Sequence, residues 1–286
     1  MLDGLIVSGL VTGSAYAILA VCLVVLFRLV GVLNLGQAAI GGFGAYTVYA
    51  LAGTGLPLPL AALAGIAVSA AIAAVAGWVM ARWFGEAGPV VGAVVTVVLL
   101  VVILTAGYRL FGDAPRVMPS LVPDVSFPLA GVRVSLTTLL ALAATLALAA
   151  GLTLLLRRTR VGIRLQAVAE RPTSAQLLGV NARALSVGVW AAAGALSALA
   201  LLFVAPTRNP TFESMALLVV PALAAALVGA LSNVWLAAAA GLGIGAIEGA
   251  GARVPWLADY RGALPFVVVI VALVWMRRRE VWDAVR

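Results

Sequence analysis

Residues 157–183 read RRTRVGIRLQAVAERPTSAQLLGVNAR and separate two long runs of alanine, leucine and valine. The stretch carries Arg157, Arg158, Arg160, Arg164, Arg171 and Arg183, a third of the eighteen basic residues in a chain of 286. The chain as a whole is 64% hydrophobic and 10% charged, with a mean hydropathy of +1.18. Soluble domains run nearer half apolar and a quarter charged. A chain this apolar has lipid as its solvent, and its helices must satisfy their own backbone groups. The arginine island is then a loop at one membrane face, and the runs on either side of it are spans.

Working outward, a hydrocarbon core about 30 Å thick calls for about 20 apolar residues per helix. By that measure spans are expected near 5–27, 34–51, 58–81, 89–108, 135–156, 184–205, 214–232, 235–252 and 263–276. The expectation is an all-α polytopic membrane protein of about nine spans (8–10), forming a single domain over 1–286. Pro221 interrupts 214–232 and the last run is short, so either can be a partial or re-entrant segment. The first run lacks a basic flank, with Asp3 in its place, and is expected to be retained as a span.

Cytoplasmic loops carry the excess of arginine and lysine. Placing 157–183 inside puts Arg28, Arg82, Arg277, Arg278, Arg279 and Arg286 inside with it. Arg109, Arg116, Arg133, Arg208, Arg253 and Arg261 fall outside, a split of twelve to six. The N-terminus is then outside and the C-terminus cytoplasmic. The net charge of +8 serves membrane orientation, and no nucleic acid is expected as a partner.

Missing residue types narrow the chemistry. The chain has no histidine, no lysine and one cysteine, Cys22. No intrachain disulfide and no thiol or imidazole metal site can be assembled. A phosphate-binding P-loop needs its lysine, so the chain is not itself a Walker-type ATPase.

The arginine loop has internal order. Up to Arg171 it reads as an extension of the fifth span. PTSAQLLGV follows, with Pro172 suited to a first helical position and Gly179 to the position just past a helix end. Ala175 and Leu178 share a face, with Leu177 beside them. So short a helix is marginal alone and needs something to pack against.

Two motifs then carry a resemblance. AERPTSAQLLGVNARAL resembles the cytoplasmic loop of LivH-type permeases of branched-chain amino-acid ABC importers, matching at Ala169, Glu170, Ala175, Leu177, Leu178, Gly179 and Asn181. GSAYAILAVCLVVLFRLVGVLNLGQAAIGGFGAY is similar to the family's N-terminal region at Tyr16, Gly31, Asn34, Gln37, Gly44, Ala45 and Tyr46. Two departures stand out. Ala38 replaces a glycine, and the late glycine-rich segment is represented by GALSNVWLA, where Gly229, Ser232 and Ala237 remain.

The resemblance implies an ABC importer permease fold in the bacterial cytoplasmic membrane, with 157–184 as the loop that couples to an ATPase. Glu170, Pro172, Ala175, Leu177, Leu178, Gly179 and Asn181 would form the coupling element. The implied partners are a second, LivM-like permease, two cytoplasmic ATPase subunits and an extracytoplasmic solute-binding protein. No cofactor is implied for this chain, and ATP and magnesium would sit in the ATPase subunits. The implied solute is a branched-chain or related amino acid.

Three further features remain, two of them with two readings. Asn34, Gln37, Gly41 and Gly44 give the second span one small and polar face. That face suits close packing, and Asn34, Gln37 and Tyr46 are also candidates for the solute path. Gly241, Gly245 and Gly249, like Gly9, Gly13 and Ala17, recur at every fourth position as seams for close helix approach. Glu248 is the only acid placed within a span, with Arg253 as the expected partner and a functional role as the alternative. An ion-coupled carrier or channel remains the rival function, although carriers usually need more intramembrane ionisable groups than this. An enzyme would need a convergent acid–base or metal cluster, and the sequence offers none.

Overall fold

The computed structural model describes residues 2–85, 87–129 and 132–251, with 263, 266–268, 270, 271 and 274 beyond them. In chain order the helices begin with α1 (Leu2–Val30), α2 (Gln37–Gly53), α3 (Leu58–Trp83) and α4 (Pro89–Phe111). A hairpin of β1 (Ser126–Leu129) and β2 (Val132–Ser135) precedes α5 (Leu136–Arg158), α6 (Arg160–Glu170), α7 (Pro172–Leu177) and α8 (Ala182–Val204). The chain continues through α9 (Phe212–Ala216), α10 (Val219–Val228) and α11 (Val234–Gly251). Among the described residues, six helices are long and apolar enough to cross a bilayer: α1, α3, α4, α5, α8 and α11. The hairpin, paired Ser126 to Ser135, is a small departure from the all-helical expectation.

The hydrophobicity of α1 runs all round, and the helix is accordingly central, with its residues from Ala15 to Leu26 buried. By contrast α4 exposes Val90, Val94, Val98, Val101 and Val102, the surface expected against lipid. The two glycine seams pack on each other and run antiparallel. A Cβ on Gly13 would stand 3.0 Å from Leu242 O, one on Gly241 2.5 Å from Ala17 N, and one on Gly245 would strike the Gly13 backbone. A second close junction joins α2, α3 and α8. There Gly41 faces the Ser197 backbone, Gly44 and Gly65 face each other, and Gly194 faces Ser69 O.

The second expected span starts late. Gly31, at φ +76°, closes α1, and residues 32–36 are not helical before α2 begins at Gln37. Irregular backbone inside a membrane protein must be satisfied by protein groups. Thr96 supplies them, its Oγ1 lying 2.8 Å from Leu33 O and accepting from Leu35 N at 3.3 Å.

The seventh expected span, 214–232, is broken in two at Leu217–Leu218. Pro221 explains the break: it has no N–H to bond to Leu217 O, and it sits in the first turn of α10, where that N–H would be orphaned anyway. The ninth expected span, 263–276, falls largely outside the described residues, as do Arg253, Arg261 and the four terminal arginines. The fifth span does not continue to Arg171. Thr159, extended at φ −108° and ψ 151°, ends α5, and its Oγ1 accepts from Gly162 N at 3.0 Å to cap α6.

Candidate coupling and solute-path sites

The arginine loop is a folded unit of two short helices. On α6, Gly162 and Leu165 are buried while Arg160 and Arg164 face out. A Cβ at Gly162 would lie 2.5 Å from the Leu156 Cα, so the chain folds tightly back on the end of α5. Glu170 closes α6 and is exposed. Arg171 is extended, and Pro172 opens α7, where its missing N–H costs nothing.

The end of α7 is closed in the way its sequence indicates. Gly179 adopts φ +81°, its N–H reaches Gln176 O at 2.9 Å, and Val180 N reaches back to Ala175 O at 3.1 Å. These bonds satisfy the helix's last carbonyls around a left-handed residue. Asn181 then caps α8, its Oδ1 accepting from Ala184 N at 3.0 Å.

The expected shared face of Ala175 and Leu178 is corrected by the structure. Ala175 is 3% exposed and points into the protein, whereas Leu177 and Leu178 are 85% and 84% exposed. With only six residues, α7 has one inward position, and the chain's own packing takes Ala175 for it. Two leucines are left projecting from a locked scaffold.

The solute-path candidates lie elsewhere, deep in the helix bundle. Asn34 and Gln37 are buried. Asn34 Nδ2 donates to Gln37 Oε1 at 2.7 Å, and Asn34 Oδ1 accepts from Gly36 N at 3.0 Å. Gln37 Nε2 donates to Ser197 Oγ at 2.6 Å and Ala193 O at 2.9 Å on α8. Every amide oxygen and nitrogen of the pair therefore has a protein partner. Tyr46 is also buried, its hydroxyl donating to Pro210 O at 2.9 Å within an aromatic cluster of Phe43, Phe111 and Phe212. Ala38, where the LivH-type pattern has glycine, is fully buried. The sequence reading missed Thr96, Ser69 and Ser197. Each is a hydroxyl within an apolar helix, and such hydroxyls commonly bond across to a neighbour.

Among the described residues Glu248 has two partners, Arg208 and Tyr16, while Arg253, the expected one, lies outside them. Arg208 Nη2 lies 2.9 Å from Glu248 Oε1, and the Tyr16 hydroxyl donates to Oε2 at 2.7 Å. This arginine comes from the turn after α8. Beside it a cleft of about 310 Å³ is lined by Arg208, Asn209, Pro210, Thr211, Ser214 and Met215, among others. No group of three or more potential metal ligands occurs among the described residues.

Leu29 near the end of α1 shares a cavity wall with Leu156, Val161 and Leu165, which brings the Arg28 end and the arginine loop together. At the other end Arg116 N donates to Pro210 O at 3.2 Å and its guanidinium lies 5.7 Å from the Tyr49 ring centre, close to Arg208 in sequence.

The family described as branched-chain amino acid transport system, permease component, matches residues 5–273. The high-affinity branched-chain amino acid transport system permease protein BraD of Pseudomonas aeruginosa is 27% identical, over 94% of this chain and 92% of BraD. With a helical bundle of several apolar spans and a match across nearly its whole length, the chain belongs to this family of transport permeases, multi-pass proteins of the bacterial inner membrane.

Proposed function

We propose that the chain is the membrane permease of an ATP-binding cassette importer that carries a branched-chain or related amino acid inward. ATP, with its magnesium, is bound and hydrolysed by two separate cytoplasmic subunits. A second, LivM-like permease completes the membrane unit, and an extracytoplasmic binding protein delivers the solute. The chain spans the membrane about nine times, with its N-terminus outside and its C-terminus in the cytoplasm. The arginine-rich end of the bundle is the cytoplasmic one.

The observation that carries this reading is the pair Leu177 and Leu178. A helix whose every other feature is locked leaves two large apolar side chains almost wholly exposed, and water does not favour that arrangement. Burial in a groove on an ATPase subunit accounts for it. Asn34, Gln37 and Tyr46 brace the helices that border the solute path, through the hydrogen bonds described above.

The experiment is uptake of radiolabelled leucine into proteoliposomes holding this chain, its partner permease and the ATPase subunits. Uptake that needs both ATP and the binding protein supports the importer. Uptake driven by a proton or sodium gradient without ATP means an ion-coupled carrier instead.

A further inference from the structure

A groove of about 290 Å³ runs between α5 and α8 over the inner half of α1. Its wall is apolar, including Val25, Leu29, Leu152, Leu165, Val189 and Leu196. It opens sideways, because the lining residues Leu155, Val161, Ala184 and Gly188 are exposed. An apolar cavity of about 150 Å³ holds one benzene ring, so this groove accepts a stretch of acyl chain.

One end of the groove is strongly basic. Arg157 and Arg158 follow the lining residues Leu155 and Leu156, Arg160 and Arg164 each precede a lining residue of α6, and Arg183 precedes Ala184. All five are exposed, and among the described residues none pairs with a carboxylate. An apolar slot that opens sideways, with five exposed arginines next to its lining residues, has the chemistry to bind an anionic phospholipid. Basic pockets between membrane helices recognise such headgroups in this way.

We propose that the groove seats one acyl chain of an anionic phospholipid, whose phosphate is held by the arginines of α5, α6 and α8. The bound lipid then fills the gap between α5 and α8 and fastens α6 to the end of the bundle.

The test is native mass spectrometry of the full-length chain in detergent, equilibrated with dioleoyl phosphatidylglycerol and dioleoyl phosphatidylcholine. The unmodified chain should retain the anionic lipid in preference to the zwitterionic one. Arg157→Gln with Arg164→Gln should erode that preference, by roughly fivefold per arginine. Gly188→Leu should fill the slot and lower retention of both lipids. A Cβ at Gly188 meets nothing within 4 Å, so a side chain can start there without touching the backbone of a neighbour. If Gly188→Leu nevertheless unfolds, Ala192→Leu enters the same slot from an exposed position. Unchanged anionic preference in the arginine variant, or unchanged retention in the slot-filling variants, overturns the proposal. So does loss of a co-purified permease with lipid retention intact, which would make the groove a protein interface.

Discussion

Arg208 and Glu248 stand forty residues apart in sequence and 2.9 Å apart in space. With Tyr16, which donates to the other carboxylate oxygen at 2.7 Å, they tie α1, the turn after α8 and α11 into one clasp. Removing one partner of a buried ion pair costs about 3–5 kcal/mol, because the other charge is stranded. The Arg208 side chain is 39% exposed, so solvent reduces the loss to about 2 kcal/mol. Arg208→Gln should lower the melting temperature in detergent. The double variant Arg208→Gln with Glu248→Gln should recover most of it, since no charge is then left unpaired. Purely additive losses would show that the clasp is not a coupled pair.

The antiparallel seam makes a sharper steric prediction. Gly245 has no room for a Cβ because the Gly13 backbone fills the space, whereas a Cβ on Gly243, two residues earlier in α11, meets nothing within 4 Å. Gly245→Ala should destabilise the chain by about 1–3 kcal/mol, the usual range for overpacking. Gly243→Ala should be close to neutral. Equal thermal stability of the two variants would place α1 and α11 further apart than described.

How much of this was legible in advance depended on how many neighbours each inference required. The spans at 58–81, 89–108, 135–156 and 184–205 fall within three residues of helix boundaries at both ends, because a long apolar run in lipid has one stable solution. The seams at Gly9–Gly13 and Gly241–Gly249 were legible as seams, since period-four glycine has a steric meaning of its own. That each was the other's partner was not. Glu248 shows the same limit, because only the fold brings Arg208 to it from forty residues away. The break at Thr159 was hidden because the residues after it keep a helical apolar pattern. Its signal was a threonine three residues before a glycine, too common to weigh. Ala175 and Leu178 were sorted to opposite environments by packing that no six-residue pattern encodes.

The amide pair of α2 tests its own role. Gln37→Ala removes the donor to Ser197 Oγ and Ala193 O and leaves Asn34 Nδ2 without its acceptor. A buried donor left unsatisfied costs about 1–3 kcal/mol. The expected outcome is a lower melting temperature and a lower yield of assembled complex, with uptake falling in proportion to the complex present. Reduced uptake at full yield and unchanged stability would mean that Gln37 meets the solute directly.

Orientation can be read by single-cysteine labelling in a Cys22→Ala background. Cysteines at positions 82 and 164 should label from the cytoplasmic side, and those at 116 and 208 from the opposite side, following the arginine distribution. Labelling of 116 and 164 from the same face would overturn the placement of every span between them.

The last prediction separates the residues that build α7 from those it presents. Leu178 is 84% exposed, so Leu178→Ala should change the stability of the permease by no more than about 0.5 kcal/mol. If the leucines fill a groove on an ATPase subunit, each is an interface anchor worth about 2 kcal/mol, and losing one weakens capture roughly thirtyfold. Ala175→Asp should act by a different route. It places a carboxylate where the chain has 3% exposure, so it should unfold the loop and lower the melting temperature as well as the ATPase yield. Gly179→Val should fall between the two, because a φ of +81° costs a β-branched residue about 1–2 kcal/mol. Arg157→Ala and Arg158→Ala, close to the membrane, should leave ATPase capture intact and affect insertion instead. Pull-down of the ATPase subunits by each variant, at matched membrane levels and with melting temperatures measured in parallel, reads all five at once. Full capture and full transport by Leu178→Ala would remove the coupling role from α7. Loss of capture by the arginine variants alone would assign that role to the charges of α5 and α6.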